Sequence, residues 1–258
     1  MKKLSISLFL TLTAFGAATI TGCGSSPGPG SGASGWDLTP TDTGFLDGNM
    51  AHIVGAWYSY GDWYNPIAGQ GDCAMKGMYT ADKCSMITTP IPGDPFMNAG
   101  DGKMCTSGIA AQVIDMNYSA IWGTGIGFDL NNGGTDDGGT GMKAPYDADA
   151  NGMTGLAFHI DMPPTGGQMR VEFPTNKVPG TTDINAAYWG GAGANLSPFT
   201  KSGDYSFKWA EVGGPMYLTS PTPFDPKTLL SVQFHVVTNT SSTIPFNYCI
   251  SNVKALHN

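Results

Sequence analysis

The amino-acid sequence predicts an all-β protein, an antiparallel β-sandwich or jelly roll with long Gly-rich loops. Three observations predict it. Gly (37) and Pro (18) are abundant, while charged residues make up only 12% of the 258. With Asn, Asp, Ser and Thr scattered between them, this composition suits turns that join short strands. Glu172 and Glu211 are the only glutamates and Arg170 the only arginine, whereas helices carry many of both on their surfaces. Several segments alternate apolar and polar residues, and none shows a βαβ rhythm.

Along the chain, Lys2 and Lys3 followed by the apolar run Leu4 to Ile20 read as a secretory signal, too short to span a bilayer. The run closes on Ile20-Thr21-Gly22-Cys23. Small residues ahead of a cysteine resemble the lipobox of bacterial lipoproteins. That resemblance implies a signal peptide over 1–22 and lipid on Cys23, and two or more acyl chains anchor stably. Gly24, where an Asp would resemble an inner-membrane retention signal, favours the outer membrane. Residues 24–35 contain only Gly, Ser, Pro and Ala and should form a flexible tether of roughly 20 Å. A single domain is expected over 36–258.

Within it, strands are expected near His52–Tyr60 and Ile109–Asp115, then over Gly125–Asn131, Leu156–Met162, Met169–Phe173, Ser231–Val237 and Ile244–Leu256. Phe224–Leu230 suits one short helical turn. On the core side lie Ile126, Phe128 and Leu130; Leu156, Phe158 and Ile160; Met169, Val171 and Phe173; Val232, Phe234 and Val236. The opposite side gathers Asp129, His159, Asp161, Arg170, Glu172, Gln233 and His235. These planar hydrogen-bonding groups would suit sugar hydroxyls; a merely solvated face is the plainer alternative.

Removing Lys2 and Lys3 leaves 10 basic against 20 acidic side chains, a net charge of −10. Nucleic acid is therefore a poor partner. Four cysteines remain after Cys23: Cys73, Cys84, Cys105 and Cys249. An even number in an exported chain implies two disulfides, with three pairings open. Bridging Cys105 to Cys249 would close a long loop and contribute roughly 4 kcal/mol in the chain-entropy model. Trp57 neighbours Tyr58 and Tyr60, so one of the two sets must face outward. Trp122 is expected to pack. Loop aromatics beside glycine or proline, namely Trp63, Tyr64, Tyr188 and Trp189, are candidates to touch ligand. The loop Asn132–Asp149, with Asp136, Asp137, Asp147 and Asp149, does not match an EF-hand and reads as solvated and flexible.

An ordered series of segments resembles the carbohydrate-binding-module jelly rolls of the galactose-binding-like type, a kind found in envelope lipoproteins of myxobacteria. The segments are Gly55-Ala56-Trp57-Tyr58-Ser59-Tyr60-Gly61-Asp62, Trp122 to Asn131, Tyr146 to Ala150 leading into Gly155 to Phe158, and Arg170-Val171-Glu172-Phe173. Phe224-Asp225-Pro226 with Val232-Gln233-Phe234, and Phe246 to Val253, complete it. The resemblance covers about residue 44 to the C-terminus. It implies a non-catalytic carbohydrate-binding protein, tethered to the cell envelope through Cys23. It also implies a structural calcium ion between Asp47 and Asn252, the only cofactor expected. The chain departs from the pattern where Cys249-Ile250-Ser251-Asn252-Val253 replaces an aromatic followed by Ile-Asp-Asp-Val, which weakens that cation site. It also lacks a cysteine between Thr175 and Tyr205. No nucleophile elbow, His-Glu-x-x-His or phosphate loop is present. The alternatives are a structural or adhesive surface lipoprotein that binds protein partners and, less expected, a divergent glycoside hydrolase using Asp161 and Glu172.

Overall fold

The computed structural model describes residues 34–62, 73, 79–90, 96–118, 120–132, 143–175, 192–196, 199–214 and 224–258. The leader, Cys23 and most of the linker lie outside these residues, as do Trp63, Tyr64, Asp136, Asp137, Tyr188 and Trp189. The described residues form eleven strands: β1 (Gly35–Asp37), β2 (Phe45–Leu46), β3 (Gly55–Gly61), β4 (Met86–Thr89), β5 (Met104–Ala110), β6 (Gly123–Asp129), β7 (Gly155–Asp161), β8 (Gln168–Glu172), β9 (Gly203–Lys208), β10 (Ser231–Val237) and β11 (Ile244–Leu256).

They pair antiparallel into two sheets. The first runs β4-β5-β11-β7-β9, and the second β2-β3-β6-β10-β8. From β5 to β11, successive strands alternate between the sheets, the interleaving of a jelly roll. The 13-residue β11 is long enough to take two partners on one edge. β5 covers Ile244–Ile250, and β1 pairs with the last residues, Gly35 opposite Leu256. Trp36 also stacks on His257 at 4.5 Å.

Six expected elements fall within two residues of the observed ones, including the short turn, which is a 3-10 helix at Pro226–Thr228. The strand expected at Ile109–Asp115 lies earlier, at Met104–Ala110. Asp115 and Met116 adopt positive φ, which a strand does not tolerate, so the far end of the expected segment is not extended. The expected flexible loop is partly tied down. Tyr146 is buried, bridges to Leu229 and donates its hydroxyl to the Ala51 carbonyl at 2.6 Å.

The core lies between the sheets. Phe158 of β7 meets Phe234 of β10 edge-on at 4.9 Å, and Trp57 packs on Phe128 at 4.9 Å and on Phe234. Each such ring contributes about 2–3 kcal/mol by leaving water. Tyr248 crosses the core to donate to the Phe234 carbonyl at 2.9 Å, so its buried hydroxyl is satisfied.

Both disulfides form. Cys73–Cys84 closes a short loop beside a satellite cluster of Ala111, Val113, Ala120 and Ile121. Cys105–Cys249 joins residues directly opposite on β5 and β11 across 144 residues of sequence.

β6 turns glycines toward the outside of the second sheet. A Cβ on Gly125 would stand 2.0 Å from the Phe234 carbonyl oxygen, so no larger residue allows β6 and β10 to pair as they do. Gly125→Ala is expected to cost at least about 3 kcal/mol, read as a lowered denaturant midpoint. Gly166→Ala, at φ +78° with open space around it, should cost only about 1 kcal/mol. Peptide mapping of the oxidised protein should recover the pairs 73–84 and 105–249 and no others.

Candidate functional site

The polar residues of alternating strands do not share one face. Asp129, Arg170, Glu172, Gln233 and His235 lie outward on the second sheet, on β6, β8 and β10. His159 and Asp161 lie on β7, in the first sheet. Parity along each strand is readable in sequence, but the sheet that receives a strand is not, so the expected single face divides in two.

On the second sheet the residues form two cross-strand rows. Tyr58 stands opposite Gly127, then Gln233, then Glu172. Tyr60 stands opposite Gly125, then His235, then Arg170. Because β6 contributes no side chain to either row, the β10 side chains reach across it. Gln233 Nε2 donates to Tyr58 Oη at 3.1 Å, and His235 Nδ1 lies 3.2 Å from Tyr60 Oη. Arg170 Nε pairs with Glu172, whose other carboxylate oxygen is 4.0 Å from His235 Nδ1. Lys143 enters from the loop, 2.7 Å from Asp129 and 4.2 Å above the Tyr58 ring.

Trp122 completes the group. Its ring stacks on Tyr60 at 6.1 Å and on His235 at 5.8 Å. Its backbone is held from two sides, as His235 Nε2 lies 3.1 Å from the Trp122 carbonyl, and the next residue, Gly123, donates its amide to Asp62 at 2.9 Å. Gly123 has φ +129°, and a Cβ there would stand 2.5 Å from His235 Nε2, so glycine is required at this corner. Asp62 is fully buried and also accepts the Ser85 amide at 3.1 Å. Burial pushes its carboxyl up, while these hydrogen bonds pull it down.

This face is not the solvated surface that outward polar residues would suggest. Asp129, Glu172, Gln233 and His235 are each at most 5% exposed. Tyr58, Tyr60, Trp122, Lys143 and Arg170 remain half-buried. Burial lowers the His235 imidazole and raises Tyr60 well above the ordinary phenol. Burial also raises Asp129, against the pull of the Lys143 ammonium. Tyr58, Tyr60, Trp122 and Lys143 were not singled out from sequence as site residues. The signal for the tyrosines was parity: with Trp57 in the core, both must face outward. Lys143 and Asp62 gave no signal, since their contacts join distant segments.

The first sheet carries a separate chain of charges. His159 Nδ1 lies 2.6 Å from Asp204, its Nε2 3.1 Å from Asp161, and Lys103 Nζ 2.9 Å from the same Asp161. The two carboxylates bind opposite edges of the ring and do not converge on a cation. Asp47 and Asn252 are the residues expected to share a calcium ion. Both side chains are exposed, and Asn252 occupies positive φ at the bulge in the β11–β7 register. Among the described residues, no three His, Cys, Asp or Glu side chains gather to hold a metal.

No family model and no curated protein matches the chain. Among solved structures, it is similar to the family 11 carbohydrate-binding module of the cellulosomal cellulase Lic26A-Cel5E of Clostridium thermocellum. Identity is 14% over 78% of this chain and 88% of that one, with a TM-score of 0.38. It is also similar to the family 11 module from Clostridium thermocellum in complex with a β-1,3-1,4-mixed-linked tetrasaccharide. There identity is 11% over 78% of this chain and 95% of that one, with a TM-score of 0.31.

The His159 chain has a defined pH signature. Burial opposes the charge on His159, but hydrogen bonds and attraction from Asp204 and Asp161 outweigh it and raise the imidazole above 6.5. A raised folded value means the stabilisation is complete below about pH 6.5 and is lost as pH rises through the folded value. The His159 titration followed by NMR should therefore have a midpoint above 6.5, and Asp204→Asn should lower it. The stability difference between the native protein and His159→Gln should shrink on going from pH 6 to alkaline pH.

Proposed function

We propose that this protein binds carbohydrate on the outer face of its second sheet, without catalysing a reaction, while tethered to the cell envelope. One observation carries the reading: a half-buried aromatic run, Tyr58, Tyr60 and Trp122, beside planar hydrogen-bonding groups. Such rings stack on the apolar faces of sugar rings, and the edge groups serve the hydroxyls. Arg170 pairs with Glu172 and Lys143 with Asp129, so the charges on this face balance and suit a neutral, hydroxyl-rich ligand. The same pairing speaks against a hydrolase, because each carboxylate is held by a cation rather than left to give or take a proton. The apolar leader ending at Cys23 and the Gly/Ser/Pro stretch after it support a lipid-anchored protein, with the outer membrane as its location.

The burial of Glu172, Gln233 and His235 favours a second reading. In it, the network is a rigid framework, and the half-buried rings dock a protein, as in an adhesive surface lipoprotein. A glycan array followed by calorimetry on the intact, oxidised chain separates the two. Carbohydrate binding predicts a hit whose affinity falls about tenfold in Tyr58→Ala and in Trp122→Ala and is lost in Arg170→Ala, with folding checked by thermal melt. A flat array on folded protein, together with an envelope partner whose capture survives Arg170→Ala, would overturn it. Radiolabelled palmitate should enter the native chain but not Cys23→Ser.

A further inference from the structure

Hydrogen-bond chemistry at His235 determines which way the Tyr60 hydroxyl points. His235 Nε2 faces the Trp122 carbonyl at 3.1 Å. A carbonyl only accepts, so Nε2 carries the proton. A neutral imidazole with Nε2–H leaves Nδ1 as a bare acceptor. The group that faces Nδ1 is Tyr60 Oη, at 3.2 Å, which must therefore donate. A phenol that has given up its only hydrogen can only accept from anything else.

Tyr58 stands two residues away on the same strand face and is in the opposite situation. Gln233 Nε2 donates to its oxygen, and Ser231 and Lys143 also lie beside the phenol, so Tyr58 receives a hydrogen bond from β10 where Tyr60 gives one. The two neighbouring phenols, with ring centroids 5.9 Å apart, differ in polarity because different β10 side chains reach them across the glycines of β6.

We propose that His235 is a positioning residue that fixes Tyr60 as a hydrogen-bond acceptor on the candidate face. As a specificity device this rests on the carbohydrate reading; as a statement about the free protein it does not. It selects a ligand with a donating hydroxyl at Tyr60. Protonation of His235 reverses that preference, because Nδ1–H then donates and the Tyr60 hydroxyl turns around. The groups facing His235 are Tyr60 from β3, the Trp122 ring and carbonyl ahead of β6, and Arg170 and Glu172 from β8. Burial, the largest influence, together with Arg170, disfavours the imidazolium; Glu172 favours it. The neutral form therefore persists below the usual histidine range.

The test begins without ligand. Imidazole 15N shifts of the intact chain at pH 7 should show His235 protonated at Nε2 and bare at Nδ1. Tyr60→Phe should move the Nδ1 resonance downfield, as an acceptor that loses its hydrogen bond does. An Nδ1–H tautomer, or an imidazolium at pH 7, would overturn the proposal whatever the protein binds. The second arm titrates the mixed-linked β-1,3-1,4 tetrasaccharide and the array hits from pH 7 down to the lowest pH at which the native chain stays folded. Affinity of the native chain should fall as His235 protonates. His235→Gln can donate to Trp122 and accept from Tyr60, and it should bind with no such fall. Loss of binding in His235→Gln while fold and pH 7 stability are retained would refute the specificity role. If no glycan binds at all, the carbohydrate reading fails, while the 15N shifts still decide the polarity of Tyr60.

Discussion

The second sheet depends on the missing side chains of β6. Gly123, Gly125 and Gly127 leave the outer side of a central strand bare, and the neighbouring strands close over it. The Phe234 carbonyl comes to 2.0 Å from where a Cβ on Gly125 would stand, and the Val232 carbonyl to 2.5 Å at Gly127. Two consequences follow from one steric fact. The hydrogen-bond ladder between β6 and β10 can draw tight, and the β10 side chains can cross β6 to the β3 tyrosines. A single methyl at either position would remove both, which makes these glycines a packing requirement more than a source of flexibility.

The two outer faces treat charge differently. On the second sheet, the carboxylates of Arg170–Glu172 and Lys143–Asp129 are drawn away from water, where removing the half-buried cation strands a buried charge at a cost of up to about 3–5 kcal/mol. On the first sheet, Lys103, Asp161, His159 and Asp204 form a chain open to solvent, where each contact contributes at most about 1 kcal/mol. The buried pairs therefore set geometry, while both faces contribute to how stability responds to pH. Trp122 takes its position from the buried side: Asp62 holds the amide of Gly123, and His235 holds the Trp122 carbonyl.

Much of the fold was legible because alternation is a local property. β6, β7, β8, β10 and β11 follow from their period-two patterns, since each has one face in the core. β1 and β2 were missed because two or three residues show no period. β4, Met86-Ile87-Thr88-Thr89, is as short, and β9 offers only Tyr205 and Phe207 as a weak alternation. The site was legible in composition but not in arrangement. Parity placed Glu172, Gln233 and His235 outward, yet it could not show that they are buried or that His159 and Asp161 belong to the other sheet. Cross-sheet position and burial are set by long-range topology, and no local pattern encodes them. The loop aromatics Trp63, Tyr64, Tyr188 and Trp189 lie outside the described residues, so Trp122 and the tyrosines of β3 are the aromatics that this structure places on the candidate face.

The pairing of β1 with the end of β11 also has a mechanical meaning. A load applied through the residues ahead of Gly35 enters the first sheet, not the second. It meets three paired residues, the stack of Trp36 on His257, and the hydrogen bond from the Leu38 amide to Val253. Beyond these, Leu38 is buried in the core and β11 is covalently locked to β5 through Cys249 and Cys105. Tension would spend itself in a short sacrificial strand and then reach a cross-linked one. The face that carries Tyr58, Tyr60 and Trp122 belongs to the other sheet, away from the strand such a load would enter.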